Sequence, residues 1–416
     1  MLTRRNFLLN SAALALAACL DLPLSAEDVK RPAKRRYLIV TPSYYRKKVQ
    51  DLSAFAYEKK FPKRDEYLSY DLDKSTMLTV VNDDGTGLRR VRFPGLFHSV
   101  MSSPKHGLIY LISSYNLALD SESLDIATFA PQNRRDGDDR RFAGHGVLLP
   151  GMDAVAFGMN HYQHGKYDAV SICDAKTLKE LHSVSSYGFE LHEVRLTPDA
   201  KQLVCGHYGS YLGSNVYKDL AVYDYRDGPV PPPKYIYPAS VTLVDLKSGA
   251  RSRLLSDVQG GQEGHADSDE SYNVYLAKRP ALLKSRPDLE KHPKFREGAQ
   301  TVPDGGEFAY DLDHMGICVA YDPAHKEVIV PKRNALYLEV TNVVTQDVRT
   351  VDLTEQLDWK KPDGVFVHGL ALHPDGKHYI LSTSDGFIAV ERGTHRVDHA
   401  MTFRVPLLVH THLHVV

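Results

Sequence analysis

Apolar and polar positions alternate in short runs along most of this chain, and the runs end at Pro, Gly, Asp or Asn. A period of two with frequent turns predicts strands rather than helices. The clearest stretch reads as four successive strands over residues 146–149, 154–158, 168–174 and 178–184. A second set covers 369–373, 378–383 and 387–391, with a weaker last strand near 400–405. A third begins at His192 and continues through 202–205 to 240–246. Two less regular units follow His265, before a run at 273–277, and His314, before a run at 327–330.

A histidine introduces each unit. His98, His145 and His192 stand at equal intervals of 47 residues, each followed by an alternating run and a turn. The segments are His98-Ser-Val-Met-Ser-Ser-Pro104, His145-Gly-Val-Leu-Leu-Pro150 and His192-Glu-Val-Arg-Leu-Thr-Pro198-Asp199, with a fourth copy at His368-Gly-Leu-Ala-Leu-His-Pro374-Asp375-Gly376. A repeat of about 40–50 residues built from short strands is the pattern of a β-propeller. The expected fold is therefore all-β, with each repeat histidine in the loop entering the innermost strand of a blade. The two ends of the chain complete one another. Residues 36–41 form a strand with no inner partner before it, and residues 406–416 form a strand with nothing after it. Pairing them covers two exposed edges and, with the units starting at His98, His145, His192, His265, His314 and His368, predicts seven blades. The long insertions, after residues 41, 112, 159, 206 and 277, all follow a second strand, so they share the face that carries the histidines.

Residues 1–26 read as an export signal rather than part of the fold. The pair Arg4-Arg5, Phe7 and the short apolar stretch 11–20 resemble a twin-arginine signal. The stretch is too short for a confident membrane span, and no later segment is long and apolar enough to make one. Cleavage after Ala26 releases a soluble protein; Leu16-Ala17-Ala18-Cys19 resembles a lipobox, which leaves a lipid anchor on Cys19 instead. Both routes place residues 27–416, a single propeller domain, in the periplasm or elsewhere outside the cytoplasm. The remaining cysteines, Cys173, Cys205 and Cys318, are odd in number and read as buried thiols, not a disulfide framework. A net charge of −1 in 416 residues gives no bulk attraction to nucleic acid. The 24 Tyr and 20 His against one Trp suit a wet, concave polar surface.

Three segments resemble exported bacterial propellers of unknown function, the DUF1513 type: Gly144-His145-Gly146-Val147, Phe189-Glu190-Leu191-His192-Glu193 followed by Leu196-Thr197-Pro198-Asp199, and Ala239-Ser240-Val241-Thr242-Leu243-Val244-Asp245. The segment at His265 and the final blade share the resemblance, which covers about half the chain. It implies a propeller, export and an association with iron-uptake gene clusters. Where that family has a glycine- and histidine-rich stretch after Pro-Asp, this chain has Gly206-His207-Tyr208-Gly209-Ser210.

Neutral imidazole is a common ligand for Cu, Zn, Fe and Ni, and a propeller axis gathers equivalent positions of many blades. The candidate ligands are His98, His145, His192, His265, His314, His368 and, at the closing strand, His410 or, by preference, His412, with Glu193 as a group that orients them. Copper or iron is the expected metal, and envelope metal-uptake proteins are the expected partners. His161, Tyr162, His164, His207, Tyr208 and Arg333 stand in the insertions as candidate ligand-binding residues. The competing role for the histidines is structural, since in WD-type propellers a histidine in this loop hydrogen-bonds within its blade. Two other functions remain open. A funnel of Tyr, His, Arg and Lys suits a lyase acting on acidic sugars, with Arg46, Lys47, Lys166 or Arg333 on the carboxylate. A non-catalytic binding module is the third.

Overall fold

The computed structural model describes residues 38–45, 75–94, 97–113, 116–130, 140–161, 167–189, 191–207, 239–257, 265–276, 318–331, 336–357, 367–383, 386–402 and 412–415. Residues 1–26, the expected export signal with Cys19, and Tyr162, His164, Tyr208, His314, Arg333 and His410 lie outside them.

The first sheet holds β1 (Leu38–Tyr45), β2 (Ser75–Asn82) and β3 (Arg89–Pro94). The second holds β4 (Phe97–Ser103), β5 (Leu108–Ser113), β6 (Asn116–Asp120) and β7 (Ile126–Ala130). The third is β8 (Arg140–Leu149), β9 (Ala154–His161), β10 (Ala169–Asp174) and β11 (Glu180–Ser185). The fourth is β12 (Leu191–Leu196), β13 (Gln202–His207), β14 (Ala239–Asp245) and β15 (Arg251–Asp257). Two strands follow, β16 (Ala266–Ser268) and β17 (Val274–Leu276). Then come β18 (Ala320–Asp322), β19 (Glu327–Pro331), β20 (Tyr337–Asn342) and β21 (Val348–Asp352). The last complete set is β22 (Val367–Leu372), β23 (His378–Thr383), β24 (Gly386–Glu391) and β25 (Val397–Thr402). The closing strand β26 (His414–Val415) joins the first sheet on the axial side of β1, with Ile39 opposite Val415 and Val40 opposite His414.

Among the described residues, five of these sheets are blades of four consecutive strands, fewer than the seven complete blades expected; one further sheet borrows β26, and one has two strands. The insertion expected over 113–141 is corrected too. It contains β6 and β7, whose alternation is short enough to pass for loop.

Strands of these sheets are apolar on both faces because each sheet is packed between two others. In β5, Ile109 and Leu111 face Leu78, Val80 and Phe93 of the first sheet. Tyr110 and Ile112, one residue out of phase, face Val155 and Phe157 of the third. The period of two divides each strand between two cores. Similar cores join each sheet to the next, and the last one joins Ile380 and Phe387 to Val81, Leu413 and Val415 of the first sheet. Sheets that pack in succession and return to the first make a propeller, with the innermost strands around the axis. The closing strand is held mainly by burial. Its two residue pairs contribute about 0.5–1.5 kcal/mol per hydrogen bond, whereas Leu413 and Val415, both buried, add roughly 1.5–3 kcal/mol each.

Candidate metal centre

His98, His145, His192 and His368 are not in loops but within the innermost strands, each at a β-bulge, whereas His265 immediately precedes β16. In the second sheet Phe97 pairs with Ser113 and Ser99 with Ile112, so His98 is the extra residue. His192 is the extra residue between Leu191 and Glu193, and His368 between Val367 and Gly369. In β8 the register jumps from Phe142 to Gly146, across His145. A bulge breaks the alternation and re-aims one side chain; here the re-aimed residue is the histidine. Neighbouring sheets hold the backbone beside it. The Phe97 N–H donates to Thr76 Oγ1 of the preceding sheet at 2.9 Å. The Leu191 N–H donates to Asp168 Oδ2 of its preceding sheet at 2.6 Å.

Five imidazoles meet at the centre. His98, His145, His192 and His265 are buried, and one ligand atom from each lies within 4.8 Å of the others. His412 completes the set, its Nε2 3.1 Å from His98 Nε2. Four of the rings form a circuit: His98 to His192 at 4.8 Å between centroids, His192 to His265 at 4.9 Å, His265 to His412 at 4.9 Å and His412 to His98 at 4.6 Å. His145 lies against all four, at 4.8, 4.7, 5.2 and 4.5 Å. The approach is so close that a Cβ on Gly144 would sit 2.6 Å from His98 Cδ2. Only glycine fits there, which explains the Gly144-His145 pair.

Glu193 organises this group. It is buried beside the rings, with Oε2 2.8 Å from His265 Nδ1 and Oε1 3.2 Å from His145 Nδ1. Arg195 Nε lies 3.4 Å from Glu193 Oε1, and its Nη1 reaches Asp267 Oδ2 at 3.3 Å and the Val319 carbonyl at 2.9 Å. Burial works against the Arg195 charge, but the carboxylates of Glu193 and Asp267 outweigh it and raise its pKa. Burial raises the pKa of Asp267 in turn, with Arg195 opposing. On the far side of its ring, His145 Nε2 is buried and has no hydrogen-bond partner among the described residues. Burial, then the neighbouring imidazoles, push the pKa of His145 well below the usual histidine range, so it stands neutral with a lone pair.

These residues fit a metal ion. Half of the 4.8 Å donor span is about 2.4 Å, a few tenths longer than a metal–imidazole bond of about 2.0–2.1 Å. Two such bonds at a right angle put their nitrogens about 2.9 Å apart, close to the 3.1 Å between His98 and His412. The donors converging here are imidazoles alone, a set for Cu, Zn, Fe or Ni rather than Mg or Ca.

Other candidates fall elsewhere. His368 is buried on its bulge but is not in the four-histidine group. His207, expected in a loop, ends β13 fully buried, with Nε2 3.0 Å from Ser186 Oγ and Nδ1 3.2 Å from the Ser240 carbonyl. Burial pushes its pKa down to about 3. It is a neutral core histidine that ties the fourth sheet, through Ser240, to the segment after β11 of the third, through Ser186. His395 shares that role, between the Tyr379 hydroxyl at 2.9 Å and Glu327 Oε2 at 3.1 Å. His161 ends β9, and its N–H donates to Asp168 Oδ1 at 2.6 Å. Sequence reasoning missed Arg195 and Asp267, whose only signal is their spacing of two after Glu193 and His265. Cys173, Cys205 and Cys318 are buried free thiols, as expected. No helix of the described residues is long and apolar enough to cross a membrane.

No family model matches this sequence, and no curated protein matches it, so the expected membership in the DUF1513-type propellers is not confirmed. Among solved structures the chain is similar to the dihydro-heme d1 dehydrogenase NirN in complex with DHE. The identity is 10%, the TM-score is 0.43, and the match covers 79% of this chain and 64% of that one, so the chain spans somewhat less than two thirds of that neighbour's length.

Proposed function

We propose that this protein is a seven-bladed propeller, working outside the cytoplasm after twin-arginine export, that holds one transition-metal ion, copper or iron, at its axis. His98, His145, His192 and His265 bind the ion, and His412 brings a fifth imidazole from the closing strand. The carrying observation is His145: its Nδ1 faces Glu193, and its Nε2 is buried without a hydrogen-bond partner among the described residues, inside a ring of imidazoles. A polar atom left so would cost about 1–3 kcal/mol, and coordination removes that cost. A propeller with one sheet of two described strands reaches seven when that sheet is counted as a blade.

The role that fits best is metal handling in the envelope, as a binding protein or an enzyme whose cofactor is the ion. Imidazole ligands supply a site for one-electron chemistry or for carrying the metal; the buried ligands exclude bulky substrates from it. The acidic-sugar lyase has no comparable support, since both ring nitrogens of His207 are engaged in the core, by Ser186 and Ser240, and Tyr162, His164, Tyr208 and Arg333 are outside the described residues.

Metal analysis tests this reading. Protein exported through its own pathway, then dialysed against Cu(II) or anaerobic Fe(II), is expected to retain one ion per chain. The double substitution His145→Ala/His192→Ala is expected to retain less than a tenth of that while keeping the β circular-dichroism spectrum. A wild-type protein that retains neither ion sinks the proposal.

A further inference from the structure

We propose that Glu193 is a positioning residue that locks His145 and His265 in one tautomer, so that both present an Nε2 lone pair to the centre. The inference rests on the metal reading above and adds the device that prepares the ligands. A carboxylate can only accept hydrogen bonds. Oε2 is hydrogen-bonded to His265 Nδ1 at 2.8 Å, so that nitrogen carries the proton. Oε1 stands 3.2 Å from His145 Nδ1, at ion-pair distance, and in the proposed arrangement that nitrogen carries its proton too. In a neutral imidazole the other nitrogen is then an acceptor, and in His145 that nitrogen is the buried Nε2. One carboxylate thus sets two rings from two different sheets. Carboxylates that hold a ligand histidine in this way also raise its basicity.

The carboxylate is itself aimed. Arg195 can only donate, and it lies on the Oε1 side at 3.4 Å. Arg195 is in turn fixed by Asp267 Oδ2 and the Val319 carbonyl, and the Tyr321 N–H donates to the same Asp267 oxygen at 2.8 Å. The chain of contacts runs from the sheet of His145 through the sheet of Glu193 and the strand of Asp267 to β18. It ties the ligand orientation to four consecutive sheets.

This geometry makes a specific statement about Glu193→Gln. The carboxamide has one acceptor and one donor group. Arg195 and His145 share the Oε1 side, so the amide oxygen stays there and the NH₂ turns to His265. His265 Nδ1 must then accept, which moves its proton to Nε2 and blocks one ligand. His145 is unchanged. The size and packing of the side chain are nearly the same, so a purely structural role predicts no such switch.

The test has two arms. In metal-free, ring-15N-labelled protein, two-bond 1H–15N correlation spectra are expected to show His145 and His265 both protonated at Nδ1. In Glu193→Gln, His265 alone is expected to convert to the Nε2–H form. The wild-type spectrum decides even when the variant does not fold: an Nε2–H form at either ring overturns the inference. In the second arm, Cu(II) competition titrations are expected to give a 10–100-fold weaker Kd for Glu193→Gln, with His265→Ala adding little in that background. An unchanged Kd, or a full additional loss from His265→Ala, overturns the inference while leaving the metal reading intact. The two tautomers as stated, with no ion bound by the wild type, sink the metal reading and leave the orienting role of Glu193 standing.

Discussion

At the scale of single residues, the same side-chain type serves two opposite ends. His145 and its neighbours keep polar atoms buried around a centre, whereas His207 uses both ring nitrogens on Ser186 and Ser240. The role of His207 can be tested in acid. His207 has a folded pKa of about 3 against an unfolded value of about 6.5. Its contribution is therefore complete above pH 6.5 and is lost as the pH falls toward 3, because the unfolded chain takes up a proton that the folded one refuses. The expected slope from this residue is about 1.4 kcal/mol per pH unit within that window. Urea midpoints measured from pH 7 to pH 4 are expected to fall less steeply in His207→Gln than in the wild type. Equal slopes would remove His207 from the account of acid lability. No local signal in the sequence separates His207 from His145; each follows a glycine, and only the partners differ.

At the scale of elements, two devices recur. One is the bulge that turns a repeat histidine toward the axis. It depends on room beside the ring, as Gly144 provides for His98. Gly144→Ala is expected to cost about 1–3 kcal/mol and to weaken metal binding through displacement of the His98 ring. Denaturant midpoints and a Cu(II) titration of the same variant check both halves; a stable variant with native affinity would show that the ring has slack. The other device is the hairpin joining the third and fourth strands of a blade. Asp120, Asp174, Asp245 and Asn342 each accept the N–H groups two and three residues on through Oδ1. The fifth residue of each takes a positive φ: Leu124, Leu178, Gly249 and Gln346. His395 occupies that place in the last blade. This Asp/Asn-x-x-Ser/Thr-x pattern is a stronger mark of a blade than the alternation of apolar positions, and at Asp120 it lies inside the stretch after residue 112, where β6 and β7 replace the expected insertion.

At the scale of the whole molecule, the ligands span the ring. His98 to His265 come from four successive sheets, and His412 precedes the two-residue strand that closes it. An ion at the axis therefore links the end of the chain to its first half. Metal at 100 times its Kd is expected to add about 2.7 kcal/mol to stability, seen as a rise in Tm that is absent from His145→Ala/His192→Ala. Deletion of residues 412–416 is expected to lower the Tm of the metal-free protein and to shrink the metal-induced rise. A deletion with no effect on either would show that β26 does not hold the ring.

The sequence by itself determined the strand period, the repeat and the identity of the histidines, because these follow from local alternation and spacing. It also carried the closure of the first sheet by the last strand, since an unpaired edge at each end calls for the other. Only the tertiary structure decided which histidines meet. His98, His145, His192 and His265 converge as a ligand group with His412 beside them, and His368, with the same motif and the same bulge, is not one of the four. A one-residue change of register redirects a side chain to another face, and convergence depends on the tilt and spacing of whole sheets. Those are set by cores hundreds of residues apart in the chain, such as Ile380 against Val81, and no local pattern encodes them.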